Sequence, residues 1–226
     1  MYVGDMGVYL AISILTLIIA GTAQWYVSHM LRKYSRVPSA LGVSGAQLAS
    51  RMIADKGLYG VQVFRGGPEQ DFFDPRTNSV TLNPEVFTYG SVTSIATAAH
   101  EVGHAEQFAQ GYKFMKFRAA LVPVVNLASN LWIIILFAGI LMSAAGMVKF
   151  AIILFSCTLL FQLVTLPVEF NASRRGLAYL QSVGVSGAEL QGATSVLRAC
   201  AFTYVAAALT SLLQLIYLLI STRRED

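Results

Sequence analysis

Residues 91–110 read Ser-Val-Thr-Ser-Ile-Ala-Thr-Ala-Ala-His-Glu-Val-Gly-His-Ala-Glu-Gln-Phe-Ala-Gln and contain an H-E-x-x-H pattern from His100 to His104. Four residues make just over one helical turn, so His100 and His104 project from one face and can both reach a single metal ion. Glu101 then lies beside the metal position, within reach of a water molecule whose proton it can take. The spacing predicts a helix that carries two zinc ligands, His100 and His104, and a catalytic base, Glu101.

The residues around the pattern favour a zinc site over a chance match. The preceding turn, residues 95–99, is small and uncharged, which suits a helix buried beside a metal. Gly103 costs about 1 kcal/mol of helix propensity. A surface helix gains nothing from this glycine, whereas a packed helix can approach its neighbour closely there. Two of the chain's three histidines lie here. The alternative is a helix in which His and Glu fall at this spacing by chance.

The composition is that of a membrane protein. The chain has 226 residues, of which 55% are hydrophobic and 12% are charged, and its mean hydropathy is +0.60. A soluble domain carries about 25% charged residues. The pI near 9.1 does not indicate nucleic acid as a partner, because the Lys and Arg residues lie mostly beside apolar runs, where they orient membrane spans. The lipid bilayer is therefore the expected environment.

The two cysteines are not predicted to carry chemistry. Cys157 and Cys200 lie in or beside apolar segments and do not form a C-x-x-C pair. We interpret both as small buried apolar residues rather than as a disulfide or metal ligands.

Uncharged runs predict a mainly α, polytopic membrane protein with about four transmembrane helices and a small α+β, zincin-like cytoplasmic domain. Gly146 is expected to mark the turn between helices 2 and 3, and Pro167 the end of helix 3. Helix 1 is not a cleaved signal peptide, because it begins with Asp5 and basic residues follow it. The predicted segments are helix 1 at 1–31, the cytoplasmic domain at 32–118, helices 2 and 3 at 119–168, a cytoplasmic helical segment at 169–198, and helix 4 with the tail at 199–226.

The cytoplasmic domain should contain a small sheet in front of the zinc helix. A capping box at Ser44 and Gln47 opens a helix that ends near Gly57. Residues 61–65 alternate as in a β-strand, and residues 71–82 indicate a hairpin with its tip at 74–78. A short helix then runs from Asn83 through Phe87. In zinc peptidases such a sheet commonly offers an edge strand to which an extended substrate adds.

The phrase at residues 42–48, Gly-Val-Ser-Gly-Ala-Gln-Leu, recurs at 184–190 with Glu189 in place of Gln. Ser186 and Glu189 therefore predict a second capping box. We interpret the recurrence as one way of starting a helix used twice, rather than as a duplicated domain.

The charges set the expected orientation. Thirteen of the 16 Lys and Arg residues fall on the proposed cytoplasmic side, and three fall outside, namely Lys149, Arg223 and Arg224. The positive-inside rule then places the zinc helix in the cytoplasm of a multi-pass plasma-membrane protein. If helix 4 is instead re-entrant or lies on the membrane surface, the tail is cytoplasmic too.

A third zinc ligand is expected downstream, because a catalytic zinc usually has three protein ligands and a water. Glu169 directly follows an apolar run and begins a polar segment, so it is the predicted ligand. The alternative is an acid favoured by a helix N-terminus. Ser173 lies one turn further on the same face, where it can hydrogen-bond a ligand. His29 is interpreted as a membrane-interface residue.

Four segments together resemble the YugP-like neutral zinc metallopeptidases of bacterial membranes, over nearly the whole chain. They are Lys33-Tyr34-Ser35-Arg36-Val37-Pro38, Phe73-Asp74-Pro75-Arg76-Thr77, Ala98-Ala99-His100-Glu101-Val102-Gly103-His104 and Leu166-Pro167-Val168-Glu169-Phe170-Asn171-Ala172-Ser173-Arg174-Arg175. The resemblance implies a bacterial inner-membrane protease. The chain is more distantly similar to the HtpX-type and CAAX-prenyl membrane proteases, which take zinc from H-E-x-x-H and a later Glu. Those relatives carry Asp where this chain has Ser173.

The predicted function is that of a gluzincin-like zinc (Zn2+) metalloendopeptidase at the cytoplasmic membrane surface. Its expected partners are protein or peptide substrates that are themselves membrane-associated. The residue that stabilises the oxyanion stays open among Arg174, Arg175, Tyr112 and Tyr179. The alternative function is a non-catalytic membrane scaffold with a structural zinc, which gives no reason for an acid such as Glu101 beside an open fourth position. The sequence does not indicate an oligomeric state.

Overall fold

The computed structural model of the chain describes the backbone of residues 3–223 and the side chains of residues 7–222. The fold is mainly helical, with one small sheet, as the sequence predicts. In chain order the elements are α1 (Val3–Ser35), α2 (Gly45–Asp55), β1 (Gln62–Arg65), β2 (Phe72–Asp74), β3 (Ser79–Leu82), α3 (Pro84–Thr88), α4 (Val92–Ala109), α5 (Lys113–Leu141), α6 (Ala145–Ser182) and α7 (Gly187–Arg223).

Four helices are long and apolar enough to cross a membrane, which agrees with the predicted number of spans. The qualifying segments are Gly7–Ser35, Lys113–Leu141, Ala145–Ser182 and Gly187–Thr222. Leu17 and Phe137 on these helices are 73% and 66% exposed, as expected for side chains that face lipid. The chain is therefore a membrane protein. Arg224 and the remainder of the predicted tail lie outside the described residues.

Two helix boundaries differ from the prediction. Helix α6 continues through Pro167 and ends at Ser182. Proline is tolerated inside membrane helices because neighbouring groups satisfy the freed carbonyl, so it is a weaker stop signal there than in a soluble helix. The turn between α5 and α6 lies at residues 142–144, where Ser143 has a φ of 51°. Gly146 is already inside α6, so the prediction that it marks the turn was wrong.

The chain forms two compact units. One contains the residues up to Gln24, Phe117–Leu166 and the residues from Thr203 onward; the other contains Trp25–Lys116 and Pro167–Phe202. In the first unit, the Trp132 and Phe155 rings pack with their centroids 4.6 Å apart. The predicted segment boundaries concern passage through a bilayer and stay predictions.

The second unit is built around α4. One face of α4 is fully buried; it is formed by Val92, Ile95, Ala99 and Val102. It belongs to one core with side chains of α2, the sheet, the C-terminal part of α6 and the N-terminal part of α7. Burial of this apolar face, rather than helix propensity, is the main source of stability for such a helix. The predicted helix at 91–110 is thereby confirmed, with Ser91 as its N-cap.

The predicted small sheet is confirmed. Its strand order is β1-β3-β2, with β1 parallel and β2 antiparallel to β3. Val63, Val80 and Phe73 are paired across the three strands, so they share a face. Val80 and Phe73 on that face are buried in the core. In this order β1 and β2 are the edge strands, and β2 and β3 form the predicted hairpin.

The two copies of the repeated phrase start their helices differently. At α2, Ser44 accepts from the Gln47 amide, and the Gln47 side chain accepts from the Ser44 amide, so the predicted capping box is confirmed. At α7, Glu189 Oε1 instead accepts from Ser39 Oγ at 2.5 Å and from the Ala40 amide at 3.2 Å. Glu189 therefore joins the start of α7 to the segment after α1.

Candidate metal centre

Helices α4 and α6 approach closely at two glycines. A Cβ atom on Gly103 would lie 2.6 Å from the backbone oxygen of Ala172. A Cβ atom on Gly176 would lie 3.0 Å from the backbone carbon and oxygen of Ala99. Each helix thus contributes a glycine where the other's backbone passes, which is the close approach predicted for Gly103. The two helices present their polar side chains to a common site.

Three side chains meet at this crossing. His100 Nε2 and His104 Nε2 lie 3.1 Å apart. Glu169 Oε2 lies 3.3 Å from His100 Nε2 and 3.6 Å from His104 Nε2. Among the side chains of residues 7–222, this is the group of His, Cys, Asp and Glu that could hold a metal ion. The structure brings together the three residues that the sequence singles out as ligands.

The separations fit a tetrahedral zinc ion. With zinc-to-ligand bonds of about 2.0 to 2.1 Å, neighbouring ligand atoms are roughly 3.3 Å apart. The three distances fall around that value, and the donor set of two imidazoles and one carboxylate is one that zinc takes in catalytic sites. The Glu169 side chain is only 5% exposed, and a carboxylate is costly to bury without a cation or hydrogen bonds.

Glu101 is buried beside this group. It lies on α4 between the two histidines in sequence, and 7% of its surface is exposed. Burial raises the pKa of the Glu101 carboxyl, against the opposing effect of the two imidazoles. A carboxyl with a raised pKa takes up a proton more readily near neutral pH, which suits a general base.

Each histidine has a second hydrogen-bond partner at Nδ1. His100 Nδ1 lies 3.1 Å from Ser173 Oγ, so the predicted contact of Ser173 with a histidine is present. His104 Nδ1 lies 3.0 Å from Gln107 Oε1. Gln107 is not among the site residues that the sequence predicts. The signal was its place three residues after His104, which puts both side chains on one face of the helix.

The candidates for an oxyanion donor are mostly engaged elsewhere. The Tyr179 hydroxyl donates to Asp55 at 2.7 Å, and Arg175 pairs with Glu106 at 2.9 Å. Arg174 is exposed. Tyr112 makes a longer hydrogen bond, 3.4 Å from its hydroxyl to the Pro167 carbonyl.

His29 and the two cysteines are not members of the group of possible metal ligands. His29 stacks on Trp25 of α1 with the ring centroids 5.5 Å apart. The two cysteines are half-buried and are not joined in a disulfide.

Asp71 directly precedes the edge strand β2. Its carboxylate accepts from the backbone amide of Asn83 at 2.8 Å and from the Asn83 side chain at 2.5 Å. Burial nevertheless raises the Asp71 pKa, because the cost of removing the charge from water exceeds the effect of these bonds. Next to it, Phe73 of β2 packs on Phe108 of α4 with the centroids 5.8 Å apart. The edge strand is thereby held against the helix of the candidate site.

The chain matches a known protein family and a known bacterial protein. The profile of a family described as "Putative neutral zinc metallopeptidase" matches residues 9–223. A relative, "Putative membrane protease YugP" of Bacillus subtilis (strain 168), is 41% identical over 196 residues, which is 86% of this chain and 87% of the relative. No solved structure matches the chain. The chain belongs to this YugP-like family, as its motifs predict.

Proposed function

We propose that the protein is a zinc metalloendopeptidase that hydrolyses peptide bonds at the cytoplasmic surface of the membrane. His100, His104 and Glu169 are the proposed zinc ligands, and Glu101 is the proposed catalytic base. The observation that carries the proposal is the convergence of three donor atoms, all within 4.8 Å of one another, beside a buried Glu101. The family and the name of the relative support peptidase activity.

Zinc at this site would polarise the scissile carbonyl and make water more acidic. Glu101 takes a proton from the attacking water and passes it to the leaving amine, as general acid–base catalysis requires. The burial of Glu101 strengthens its electrostatic interaction with the reacting groups, because little water screens them. Tyr112 is the oxyanion donor we favour among the four candidates, since its present hydrogen bond is long and weak.

Strand β2 offers a place for the substrate. It is the edge strand that lies against α4, through Phe73 and Phe108. An extended peptide can add to such an edge by backbone hydrogen bonds, which bind it without a strong demand on its sequence. The substrate is accordingly an extended protein segment, and the membrane anchorage of the enzyme favours substrates that are also membrane-associated.

The cytoplasmic assignment rests on the positive-inside asymmetry and has its own test. A cysteine introduced at Asn78, in the tip of the β2–β3 hairpin, should resist a membrane-impermeant thiol reagent in intact cells. A cysteine introduced at Ala145 should react. The reverse pattern would place the site outside the cell.

Peptidase activity is tested with detergent-solubilised protein and casein. Cleavage should stop when a zinc chelator is added, return when zinc is restored, and be absent from Glu101→Gln. Zinc binding without cleavage of casein or membrane proteins would instead support the scaffold function.

A further inference from the structure

We infer that Gln107 is a positioning residue that sets the tautomer of His104, and that it does so through a chain of hydrogen bonds fixed at its far end by Arg175. The inference rests on the proposed zinc site, because it concerns the nitrogen that His104 offers to the metal. A histidine ligand must present a lone pair, and the hydrogen bond made by its other nitrogen decides which nitrogen has one.

The chain of bonds starts from a group that can only donate. Arg175 Nε donates to Asn171 Oδ1 at 2.7 Å. A guanidinium has no acceptor, so the Asn171 amide must turn its oxygen toward Arg175. The same oxygen accepts from Gln107 Nε2 at 3.0 Å.

A backbone carbonyl fixes the Gln107 amide independently. Gln107 Nε2 also donates to the Val168 carbonyl at 2.8 Å, and a carbonyl can only accept. Both protons of the Gln107 amide are thereby directed to α6. Its oxygen is left facing His104 Nδ1 at 3.0 Å. The reverse orientation would set two acceptors, on Asn171 and Val168, against an amide oxygen.

The consequence falls on His104. An amide oxygen accepts only, so Nδ1 must carry the proton, and in the neutral ring Nε2 then keeps its lone pair. That Nε2 is the atom that faces His100 and Glu169. Gln107 is fully buried, so water cannot substitute for the missing acceptor if the amide is removed.

Arg175 is itself fixed by Glu106 of α4 and by Gln110, the C-cap residue that follows α4. Its Nη1 lies 2.9 Å from Glu106 Oε1 and donates to Gln110 Oε1 at 2.8 Å. Lys56, the C-cap residue after α2, adds a second cation 3.6 Å from the same Glu106 oxygen. The donor end of the chain of bonds is consequently held in place by charge.

His100 provides the contrast within the same site. Its Nδ1 meets the Ser173 hydroxyl, which can donate or accept by rotation. The Ser173 contact orients the ring but does not dictate the tautomer. The structure therefore assigns the two histidines supports of different kinds.

The first test uses metal-free protein, labelled with 15N on histidine and followed by NMR as the pH is raised until the His104 ring is neutral. Burial opposes the charged ring, but the Glu169 and Glu101 carboxylates raise the His104 pKa above its ordinary value of about 6.5. The wild type should show His104 protonated at Nδ1. Gln107→Met, which keeps the side-chain length but removes the amide, should show a mixture of tautomers. A wild-type His104 protonated at Nε2 would overturn the inference, whether or not the protein binds zinc.

The second test is zinc affinity by chelator competition. Gln107→Met should weaken zinc binding by about 10- to 100-fold, the usual effect of losing a partner of a ligand. Tyr179→Phe is the matched control, because it also removes one hydrogen bond in the same unit but leaves the histidines untouched. Equal zinc affinity in Gln107→Met and the wild type would contradict the inference. Absence of zinc binding in a wild type with the expected tautomer would count against the proposed function alone.

Discussion

Helices α4 and α6 both contribute to the candidate metal centre, but they bring their proposed ligands to it in different ways. On α4, His100 and His104 meet because of local spacing, which any regular helix would produce. On α6, Glu169 reaches them only through packing with a helix 65 positions away in the chain. The first contribution depends on sequence alone, whereas the second depends on how closely two helices can approach.

The close approach is provided by glycine on both sides. Gly103 on α4 faces the backbone at Ala172, and Gly176 on α6 faces the backbone at Ala99. Glycine costs about 1 kcal/mol in a helix, and here it is placed where any side chain would separate the two ligand-bearing elements. The position of Glu169 on α6 is therefore the part of the site that substitutions away from the ligands disrupt most easily.

The largest expected effect concerns α4. Glu101→Gln keeps the shape of the side chain but cannot take a proton, so proteolysis should fall by several orders of magnitude, roughly 10²- to 10⁴-fold or more. The two α4 ligands are untouched, so the variant should still bind about one zinc per chain. Casein cleavage and metal analysis on the same preparation check both statements. Normal turnover by this variant would rule out the mechanism.

The next effect concerns α6. Glu169→Ala removes a charge and an oxygen ligand, so zinc affinity should fall by more than the roughly 10- to 100-fold caused by losing a supporting hydrogen bond. Glu189→Ala is the control, because it removes another carboxylate of the same unit, one bound to Ser39 and Ala40. A chelator titration compares the two. Unchanged affinity in Glu169→Ala would place the third ligand elsewhere.

The crossing itself can be tested without touching a ligand. Gly103→Ala forces a methyl group against the Ala172 carbonyl, and overpacking of this kind destabilises by about 1 to 3 kcal/mol. Gly146→Ala in α6 meets nothing within 4 Å and should stabilise slightly, since alanine favours helix. Thermal unfolding should separate the two variants in opposite directions. An unfolding temperature of Gly103→Ala equal to that of Gly146→Ala would show that the helices can separate freely.

The smallest expected effect is at Ser173. Ser173→Ala removes the hydroxyl that orients His100, so zinc affinity should fall by about tenfold, the low end of the usual range. The effect should be smaller than that of Gln107→Met, because the hydroxyl does not dictate a tautomer. A larger loss at Ser173 than at Gln107 would reverse the roles we assign to the two supports. Chelator competition measures both variants.

The elements that the sequence predicts well have local signals. The α4 helix, the Ser44 capping box and the hairpin at 71–82 each follow from spacing or turn residues within a few positions. The four long apolar helices follow from length and apolarity in the same way.

The features that the sequence does not predict depend on partners far along the chain. Pro167 does not end its helix, because a membrane environment and neighbouring groups change its effect. Glu189 turns from its own helix start to Ser39, 150 positions away. The role of Gln107 requires Val168 and Asn171 of another helix. Such contacts appear only when the tertiary packing is known.

Zinc-edge X-ray absorption of the purified protein tests the central claim most directly, because it reports the atoms bound to the metal. The site of His100, His104 and Glu169 predicts two imidazole nitrogens at about 2.0 to 2.1 Å and carboxylate oxygen at about 2.0 to 2.2 Å. Glu169→Ala should lose the carboxylate contribution. A spectrum with a sulfur neighbour at about 2.3 Å, or without imidazole scattering, would contradict the proposed site.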